Sequence, residues 1–171
     1  RKIAEAQRLS APNVAPGRSR FEIPAVESVL LGALTETERR FRLISDQSPV
    51  LMWVADASGV RSYFNRTWTD YVGADDEPDD ESEWHEFIHP DDRATYLATL
   101  SNIDGSSAAT EAEYRLRNRD GDYRWFLEKI LPRIDGNNAF LGLIASAADI
   151  SAIKAAEAVL SRANQELERE V

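Results

Sequence analysis

The sequence predicts an α+β fold, a five-stranded antiparallel sheet with helices on one face and a further helix at each end of the chain. Three observations predict this fold. Two short apolar runs joined by a Gly-containing turn come first, and three longer segments joined by polar, Gly-containing turns come last. Stretches with helical spacing of apolar residues lie before, between and after them. The 171 residues suffice for one ordinary domain with extensions.

Composition excludes several classes of function. With 20 Lys and Arg against 30 Asp and Glu, the formal net charge is −10. An acidic surface repels nucleic-acid phosphates and anionic lipids, so we expect no nucleic-acid partner and no direct membrane contact. The chain has no cysteine, which excludes disulfides and thiolate chemistry and suits the cytoplasm.

No apolar run approaches the roughly 20 residues that span a bilayer. We therefore expect a cytoplasmic domain, which a membrane-anchored receptor could still carry. The chain begins at Arg1 rather than Met and ends within a helical pattern, which indicates a piece of a longer protein.

Residues 1–40 are predicted to be a helical linker. A short helical segment over Arg1–Leu9 is broken by the Pro and Gly residues of positions 11–17. A second helix is predicted from about Pro24 to Ser45. Its apolar positions with three-and-four spacing are Val26, Val29, Leu30, Ala33, Leu34, Phe41 and Ile44.

A β-hairpin and a short helix are predicted next. The apolar run Leu51–Ala55 and the segment Arg61–Phe64 are separated by Asp56-Ala-Ser-Gly59, which favours a tight turn. Asn65 can cap a helix through Tyr71, which Gly73 ends.

The segment 74–83 holds seven acids and no base, so we expect a solvated loop. A calcium site there is much less favoured because the ligand spacing of an EF-hand is absent. After one helical turn over Trp84–Ile88, Pro90 is predicted to start a helix through about Asn102.

Three longer strands complete the predicted sheet. Glu113–Arg117 alternates apolar and charged residues, as a half-exposed antiparallel strand does. The turn at 118–121 leads to a partner strand over Tyr123–Arg133, and a turn at 135–138 leads to the last strand, Phe140–Ala148.

His85-Glu86-Phe87-Ile88-His89 matches the H-E-x-x-H pattern of zinc proteases. That chemistry needs both imidazoles on one uninterrupted helix. Pro90 directly follows His89 and pushes it toward extended geometry, so the helix should break there. We therefore expect an accidental match, no metal site and no catalytic residues, although a zinc hydrolase or a His85–Glu86 acid–base pair is the enzymatic alternative.

The last segment, 152–171, is predicted to be an amphipathic signalling helix. Ile153, Leu160 and Leu167 recur every seven residues, while polar Glu157 and Asn164 fall at the other seam positions. A two-stranded coiled coil is therefore predicted, and three heptads make it weak on its own.

Four stretches carry a resemblance to a known family. These are residues 41–73, "FIHPDDR" at 87–93, "EYRLRNRDGDYRWF" at 113–126 and "GLIASAADIS" at 142–151. In this order and spacing they resemble the PAS domain with its C-terminal PAC portion, as found in bacterial sensor histidine kinases and diguanylate cyclases. The resemblance covers residues 41–151. Residues 1–40 more faintly resemble part of a HAMP relay module, and a plain helical linker is the alternative.

The resemblance implies a small cavity between the sheet and the helix that follows Pro90. Candidate cavity residues are Trp53, Trp68, Tyr71, Tyr96, Leu100, Trp125, Leu127, Ile144 and Ser146. No cofactor is certain. A noncovalent flavin fits the aromatic content, and the small residues Ala145–Ala148 of the last strand could leave room for a small organic ligand. Covalent flavin needs a cysteine, and haem in this family usually needs a histidine on the long helix.

The resemblance also implies a route for the signal. Asp149-Ile150-Ser151 matches the family's Asp-Ile-Thr junction, after which Ile153, Leu160 and Leu167 would carry the change along the outgoing helix. We expect a regulatory module that forms a homodimer through its terminal helices and controls a downstream domain in the same chain. A histidine kinase of a two-component system is preferred. A diguanylate cyclase or a ligand-free protein-interaction module is the alternative.

Overall fold

The computed structural model describes residues 22–74, 83–106 and 108–170. The elements are α1 (Glu22–Asp46), β1 (Leu51–Asp56), β2 (Arg61–Phe64), α2 (Arg66–Val72), a 3₁₀ helix (Glu83–Phe87), α3 (Pro90–Ser101), β3 (Thr110–Arg117), β4 (Tyr123–Ile134), β5 (Phe140–Asp149) and α4 (Ser151–Glu170). The helix predicted over residues 1–9, the first half of the HAMP-like segment and most of the acidic loop lie outside the described residues.

The five strands form one antiparallel sheet in the order β2-β1-β5-β4-β3. The predicted α+β fold class is confirmed. The last strand, β5, lies at the centre of the sheet, where it pairs with both β1 and β4. Small side chains suit that position, because Ala145 lies between the large residues Trp53 of β1 and Ile130 of β4.

The core lies on one face of the sheet, which we call the inner face. α2, the 3₁₀ helix and α3 pack against it, as predicted for helices on one face. The buried strand residues of this face are Leu51, Trp53, Ala55, Phe64, Tyr114, Leu116, Phe126, Ile130, Leu143, Ala145 and Ala147. In β1, β3 and β4 and over residues 143–147 of β5, they alternate with half-exposed or exposed residues, which define the outer face.

A buried asparagine fixes the start of α2. The Asn65 side chain is fully buried, and its oxygen accepts hydrogen bonds from the backbone N–H groups of Met52 and Trp68. Its amide nitrogen donates to the carbonyls of Ser45 and Val50. The predicted cap is confirmed, and the same side chain also fastens α2 to β1.

One glycine in β5 is required by a close backbone approach. Gly142 has φ of +127°, and a Cβ there would lie 2.0 Å from the carbonyl oxygen of Ala55. Only glycine accepts both conditions. Gly142 therefore holds β5 against β1 at the end of the sheet near the β1–β2 turn.

The chain divides into two units, Arg1–Arg40 and Phe41–Val171. In the first unit, the apolar residues of α1 are largely exposed, namely Val26, Val29, Leu30, Leu31 and Leu34. In the second unit, the Phe41 ring lies 5.3 Å from the ring of Tyr63. Among the residues that the structure describes, none of the helices combines the length and the apolar character needed to cross a membrane.

Candidate functional site

Five of the nine predicted cavity residues lie on the inner side of the sheet. Trp53, Trp68 and Tyr96 are buried in the core. Tyr71 of α2 and Leu100 of α3 are partly buried and pack against the same core. The helix α3 does cover the sheet here, as the resemblance implied.

The other four predicted cavity residues lie on the outer face, which corrects their expected position. Trp125 and Leu127 alternate in β4 with the buried Phe126, and Ile144 and Ser146 of β5 are likewise half-exposed. The strands present apolar side chains on both faces, so hydrophobicity alone did not reveal which alternate set points inward.

The centre of the core is a carboxylate that the sequence analysis did not identify. Glu128 of β4 is fully buried and accepts three hydrogen bonds. The donors are the indole N–H of Trp53 at 3.1 Å and the hydroxyls of Tyr96 and Tyr114, each at 2.6 Å. A carboxylate accepts hydrogen bonds only, and here it meets three donors. Without them, burial of this group would be very costly.

The hydroxyl groups of the two tyrosines in this cluster remain protonated and act as hydrogen-bond donors. Burial raises the pKa of Tyr96 and of Tyr114 well above the ordinary tyrosine value, and the nearby Glu128 carboxylate raises both further. Both phenols therefore stay protonated over the physiological pH range. Each can donate permanently to Glu128.

A cation lies beside the carboxylate cluster. The guanidinium of Arg61, at the start of β2, donates from Nη2 to the Tyr96 hydroxyl at 2.7 Å. Its Cζ lies 3.8 Å from the ring centre of Trp53 and 3.3 Å from that of Trp84. Arg61 is therefore stacked between two indoles and connected to Glu128 through one phenol.

Arg61 also lines a recess at one end of the sheet. The recess has a volume of about 250 Å³ and lies among the β1–β2 turn, the end of α3 and the start of β5. Its walls include Trp53, Trp84, Leu100, Phe140 and Leu143. Ligand pockets for drug-sized molecules usually begin at about 300 Å³, so this space suits a smaller molecule.

A second, more open recess lies where α2 meets the junction of β5 and α4. It is lined by Tyr71, Arg124, Phe126 and Asp149, among others, and has a volume of about 470 Å³. The Tyr71 hydroxyl donates to the carbonyl of Leu116 at 3.1 Å. Burial is the main cause that raises the pKa of Tyr71 to about 12.

The two histidines occupy different elements. His85 belongs to the 3₁₀ helix, whereas His89 is the N-cap of α3 and accepts a hydrogen bond from the Asp91 N–H through Nδ1 at 3.2 Å. The predicted break before Pro90 is confirmed, so the pair does not stand on one helix as a zinc protease requires. Within the described residues, no group of His, Asp or Glu is arranged to hold a metal ion.

An ion pair anchors α3 to the edge of the sheet. Both carboxylate oxygens of Asp92 accept from the Arg115 side chain, at 2.9 and 2.8 Å, and the Arg115 N–H donates to the same group. These hydrogen bonds lower the pKa of Asp92 despite its partial burial. Acids in the first turn also favour the helix dipole.

The predicted relay residues at the start of α4 form a hydrogen-bonded junction. The Ile150 N–H donates to the Trp125 carbonyl at 2.8 Å, and the Trp125 N–H donates to the Ser151 hydroxyl at 3.0 Å. Asp149 accepts from the Ser151 N–H at 2.9 Å and from Arg124 at 3.2 Å. Burial raises the pKa of Asp149, but these hydrogen bonds outweigh it and lower the pKa overall. The first residues of α4 are thus tied to β4.

The family described as the PAS fold matches residues 61–147, about half of the chain. This chain belongs to the PAS family. The match runs from Arg61 at the start of β2 to Ala147 near the end of β5, so it includes Tyr96, Tyr114 and Glu128 of the carboxylate cluster and most of the sheet.

Three similar proteins illustrate the relationship. "Uncharacterized protein y4lL" of Sinorhizobium fredii (strain NBRC 101917 / NGR234) is 33% identical over 125 residues, covering 73% of this chain and 15% of its own length. "Peroxide stress-activated histidine kinase mak2" of Schizosaccharomyces pombe (strain 972 / ATCC 24843) is 30% identical over 91 residues, covering 53% of this chain and 4% of its own length. This PAS domain therefore spans only a small part of either curated relative.

The solved structure of a sensory box histidine kinase/response regulator from Burkholderia thailandensis E264 is also similar. It has a TM-score of 0.58 and 27% identity, covering 76% of this chain and 98% of that chain. The PAS fold is a sensory module rather than a catalytic one.

Side chains occupy the centre of this PAS core around Glu128. Trp53, Tyr96 and Tyr114 converge on Glu128 between α3 and the sheet. A noncovalent flavin ring placed there would have to displace these side chains, so the core as it stands does not fit one. Among the described residues, open space is found at the Arg61 recess and at the recess beside the junction of β5 and α4.

Proposed function

We propose that this PAS domain is the input module of a longer signalling protein and that α4 carries its output. A change in the packing of the sheet would alter the position or rotation of two α4 helices paired in a homodimer. The paired helices would then switch an effector domain further along the same chain.

The observation that carries this proposal is the junction between β4 and α4. Hydrogen bonds run in both directions between Trp125 and the Ile150–Ser151 pair, so α4 cannot shift at its start without disturbing β4. β4 is also the strand that carries Glu128. The buried carboxylate cluster and the outgoing helix are therefore connected through one strand.

The pattern of α4 supports pairing. Ile153, Leu160 and Leu167 are 58–65% exposed in the single chain and recur every seven residues. Burying such a stripe against a second copy removes apolar surface from water. The polar seam residues Glu157 and Asn164 would set register at a cost in stability.

A histidine kinase of a two-component system is the proposed effector. The support is that two of the similar proteins above carry the words histidine kinase in their names. A diguanylate cyclase is the alternative. Because both effectors consume nucleoside triphosphates, the proposal places the domain in the cytoplasm. An interaction platform without a ligand is the other alternative.

Pairing can be tested on the 171-residue chain by native mass spectrometry and sedimentation equilibrium. We expect a weak dimer, and the double variant Leu160→Lys, Leu167→Lys should weaken it at least tenfold. The matched control is Ala158→Lys, Gln165→Lys, which adds the same charges away from the stripe. A wild-type chain that stays monomeric, or equal weakening by both variants, contradicts the proposed relay.

The effector can be tested on the full-length parent protein. Incubation with labelled ATP should label a histidine, whose phosphoramidate is stable to base and labile to acid. Conversion of GTP to a cyclic dinucleotide, without phosphohistidine, would instead identify the cyclase alternative. In either case, the Leu160→Lys, Leu167→Lys variant should change the rate, whereas an unchanged rate contradicts relay through α4.

A further inference from the structure

The recess at the end of the sheet contains a cation with no ion-pair partner among the residues that the structure describes. Within the described part of the chain, the Arg61 side chain has one hydrogen bond, to the hydroxyl of Tyr96, and it also lies against the rings of Trp53 and Trp84. Its guanidinium is half-buried in a recess of about 250 Å³. A half-buried cation facing an accessible recess favours an anion there.

The geometry of Arg61 restricts how that anion can bind. The Cζ of Arg61 lies 3.8 Å from the ring centre of Trp53 and 3.3 Å from that of Trp84. Two rings this close to a planar guanidinium have room only on its opposite faces. The donors that remain lie in the guanidinium plane, and one of them is engaged by Tyr96. In-plane N–H groups match the two oxygens of a carboxylate, which they bind as a parallel pair.

The rest of the recess favours an apolar body. Leu100, Ile103, Phe140 and Leu143 line the wall, and the small residues Ala55 and Ala57 leave space beside them. The acidic Asp56 is also at the rim, where its carboxylate accepts hydrogen bonds from the Ser58 N–H, the Ser58 hydroxyl and the Val60 N–H. Those donors lower the pKa of Asp56 and partly balance its charge.

We propose that this recess binds a small organic carboxylate, held by in-plane hydrogen bonds from Arg61, with its apolar part against the wall of Leu100, Phe140 and Leu143. The inference deepens the proposed function and rests on it for the view that the bound molecule is an input signal.

The site is connected to the outgoing helix by a short chain of contacts. The Tyr96 hydroxyl accepts from Arg61 and donates to Glu128. A carboxylate on the remaining donors of Arg61 would draw the guanidinium toward the recess and alter its hydrogen bond to Tyr96, which would change the hydrogen bonding of Glu128 on β4. The same strand carries Trp125, which is hydrogen-bonded to the start of α4.

Binding is tested with benzoate and hexanoate, each paired with its neutral amide, benzamide or hexanamide. The amides match the shape but lack the charge and one acceptor oxygen. Trp53 and Trp84 report binding through their fluorescence, and amide NMR shifts locate it. We expect saturable binding of at least one carboxylate, at least tenfold tighter than its amide. Absence of saturable binding by both carboxylates, or equal affinity for the amides, overturns the proposal.

Variants of Arg61 provide a second test of the proposed site. Arg61→Gln should weaken carboxylate binding at least tenfold, and Arg61→Lys should give an intermediate loss because it keeps the charge but not the planar fork. The matched control is Arg66→Gln, which removes an exposed guanidinium of α2 outside the recess. Equal affinity in Arg61→Gln and Arg66→Gln overturns the proposal.

A variant that leaves Arg61 in place covers the case in which Arg61→Gln fails to fold. Ser101 is exposed and lines the recess at the end of α3, so Ser101→Trp should fill the space and weaken carboxylate binding at least tenfold. Unchanged binding in a folded Ser101→Trp variant overturns the site.

The site and the relay can fail separately. Spin labels on α4, measured with and without the bound carboxylate, report the spacing of the paired helices. If the carboxylate binds and the spacing of the α4 helices does not change, the binding site is supported and the proposed relay is contradicted. A dimer that forms and signals while neither carboxylate binds removes the site and leaves the relay.

Discussion

The two faces of the sheet differ although the same strands build both. On the inner face, Ile130 and Glu128 are fully buried and Leu116 is 1% exposed, because α2, α3 and the 3₁₀ helix cover them. On the outer face, Leu131 of β4 and Leu141 of β5 are 45% and 44% exposed. Among the described residues, α4 covers part of this face, where the Lys154 ammonium lies 5.1 Å from the ring centre of Trp125.

The two faces are therefore stabilised by different means. The inner face combines apolar burial with a fully hydrogen-bonded carboxylate. Substitutions there should therefore lower the free energy of unfolding strongly. The outer face is stabilised by exposed ion pairs and by the hydrogen bonds between β4 and the start of α4. Substitutions there should lower the free energy of unfolding only slightly and should affect α4 instead. Four substitutions test this contrast, in order of decreasing expected effect.

The largest effect is expected for Gly142→Ala, which should disrupt the pairing of β5 with β1. That pairing sets which side chains of β5 lie on each face of the sheet. The new Cβ would lie 2.0 Å from the Ala55 carbonyl oxygen, at a φ of +127°. We expect the free energy of unfolding to fall by more than about 4 kcal/mol, which should prevent folding. Urea denaturation followed by fluorescence measures this.

Gly136→Ala is the matched control in the β4–β5 turn. No atom lies within 4 Å of its added Cβ, so it should change stability by less than about 0.5 kcal/mol. A folded Gly142→Ala variant as stable as Gly136→Ala would show that β5 does not approach β1 as described.

The second effect is expected for Glu128→Gln on the inner face. The amide keeps the shape of the carboxylate but replaces one of its two acceptor oxygens by an NH₂ group. The donors Trp53, Tyr96 and Tyr114 would then share one acceptor oxygen, and at least one of them would face the NH₂ group. Stability should fall by about 3 kcal/mol. The control is Glu111→Gln, an exposed acid of β3 that lies 3.7 Å from Lys129. Equal urea midpoints for the two variants would mean that the Glu128 hydrogen bonds contribute nothing net.

The bounds of the elements were predictable because local signals fix them. Asn65 and Gly73 bracket α2, and Pro90 opens α3, each as expected from the sequence. Such signals act through the backbone within a few residues, so they need no tertiary information. The five strands and their antiparallel arrangement followed from the same signals.

The direction of the side chains in β4 and β5 was not predicted correctly, although a signal existed. In β3, the apolar Tyr114 and Leu116 alternate with charged residues, which fixes the inward set. The turn at 118–121 then pairs Tyr114 with Phe126, so Phe126 and Glu128 share that face. The apolar Trp125 and Leu127 were predicted to lie inward instead, because a charged residue such as Glu128 was not expected to lie in the core.

Glu128 and Arg61 show what single-sequence reasoning misses. A carboxylate in a core is stable only because donors from β1, α3 and β3 meet around it. Those donors are 14 to 75 residues away in sequence. No local pattern reports such a meeting, so the cluster became visible only in the folded chain.

A third, smaller effect is expected at the edge of the inner face, for Asp92→Asn. Arg115 lowers the pKa of Asp92, so the pair stabilises the fold above the ordinary aspartate value of 3.8 and the contribution is lost as the pH falls through the lower folded value. At pH 7 the variant should lose about 1–2 kcal/mol. Urea unfolding from pH 7 to pH 2.5 should show this difference shrinking as the pH falls below 3.8.

Asp91→Asn is the control for that pH series. Its side chain is 78% exposed and lies 3.8 Å from Arg115, so it should cost less than about 0.5 kcal/mol. A difference between Asp92→Asn and wild type that persists unchanged at pH 2.5 would assign the loss to packing instead of charge.

The smallest effect on stability is expected for Ser151→Ala at the junction that joins β4 to α4. The variant removes the acceptor of the Trp125 N–H at 3.0 Å, which should cost about 1 kcal/mol. Ser151→Thr keeps the hydroxyl and should behave as wild type. The informative measurement is hydrogen exchange at the Trp125 and Ile150 amides, which Ser151→Ala should accelerate while amides of the Glu128 cluster stay protected. If instead exchange rises equally at both places, the junction and the inner face are one cooperative unit, and the contrast between the two faces does not hold.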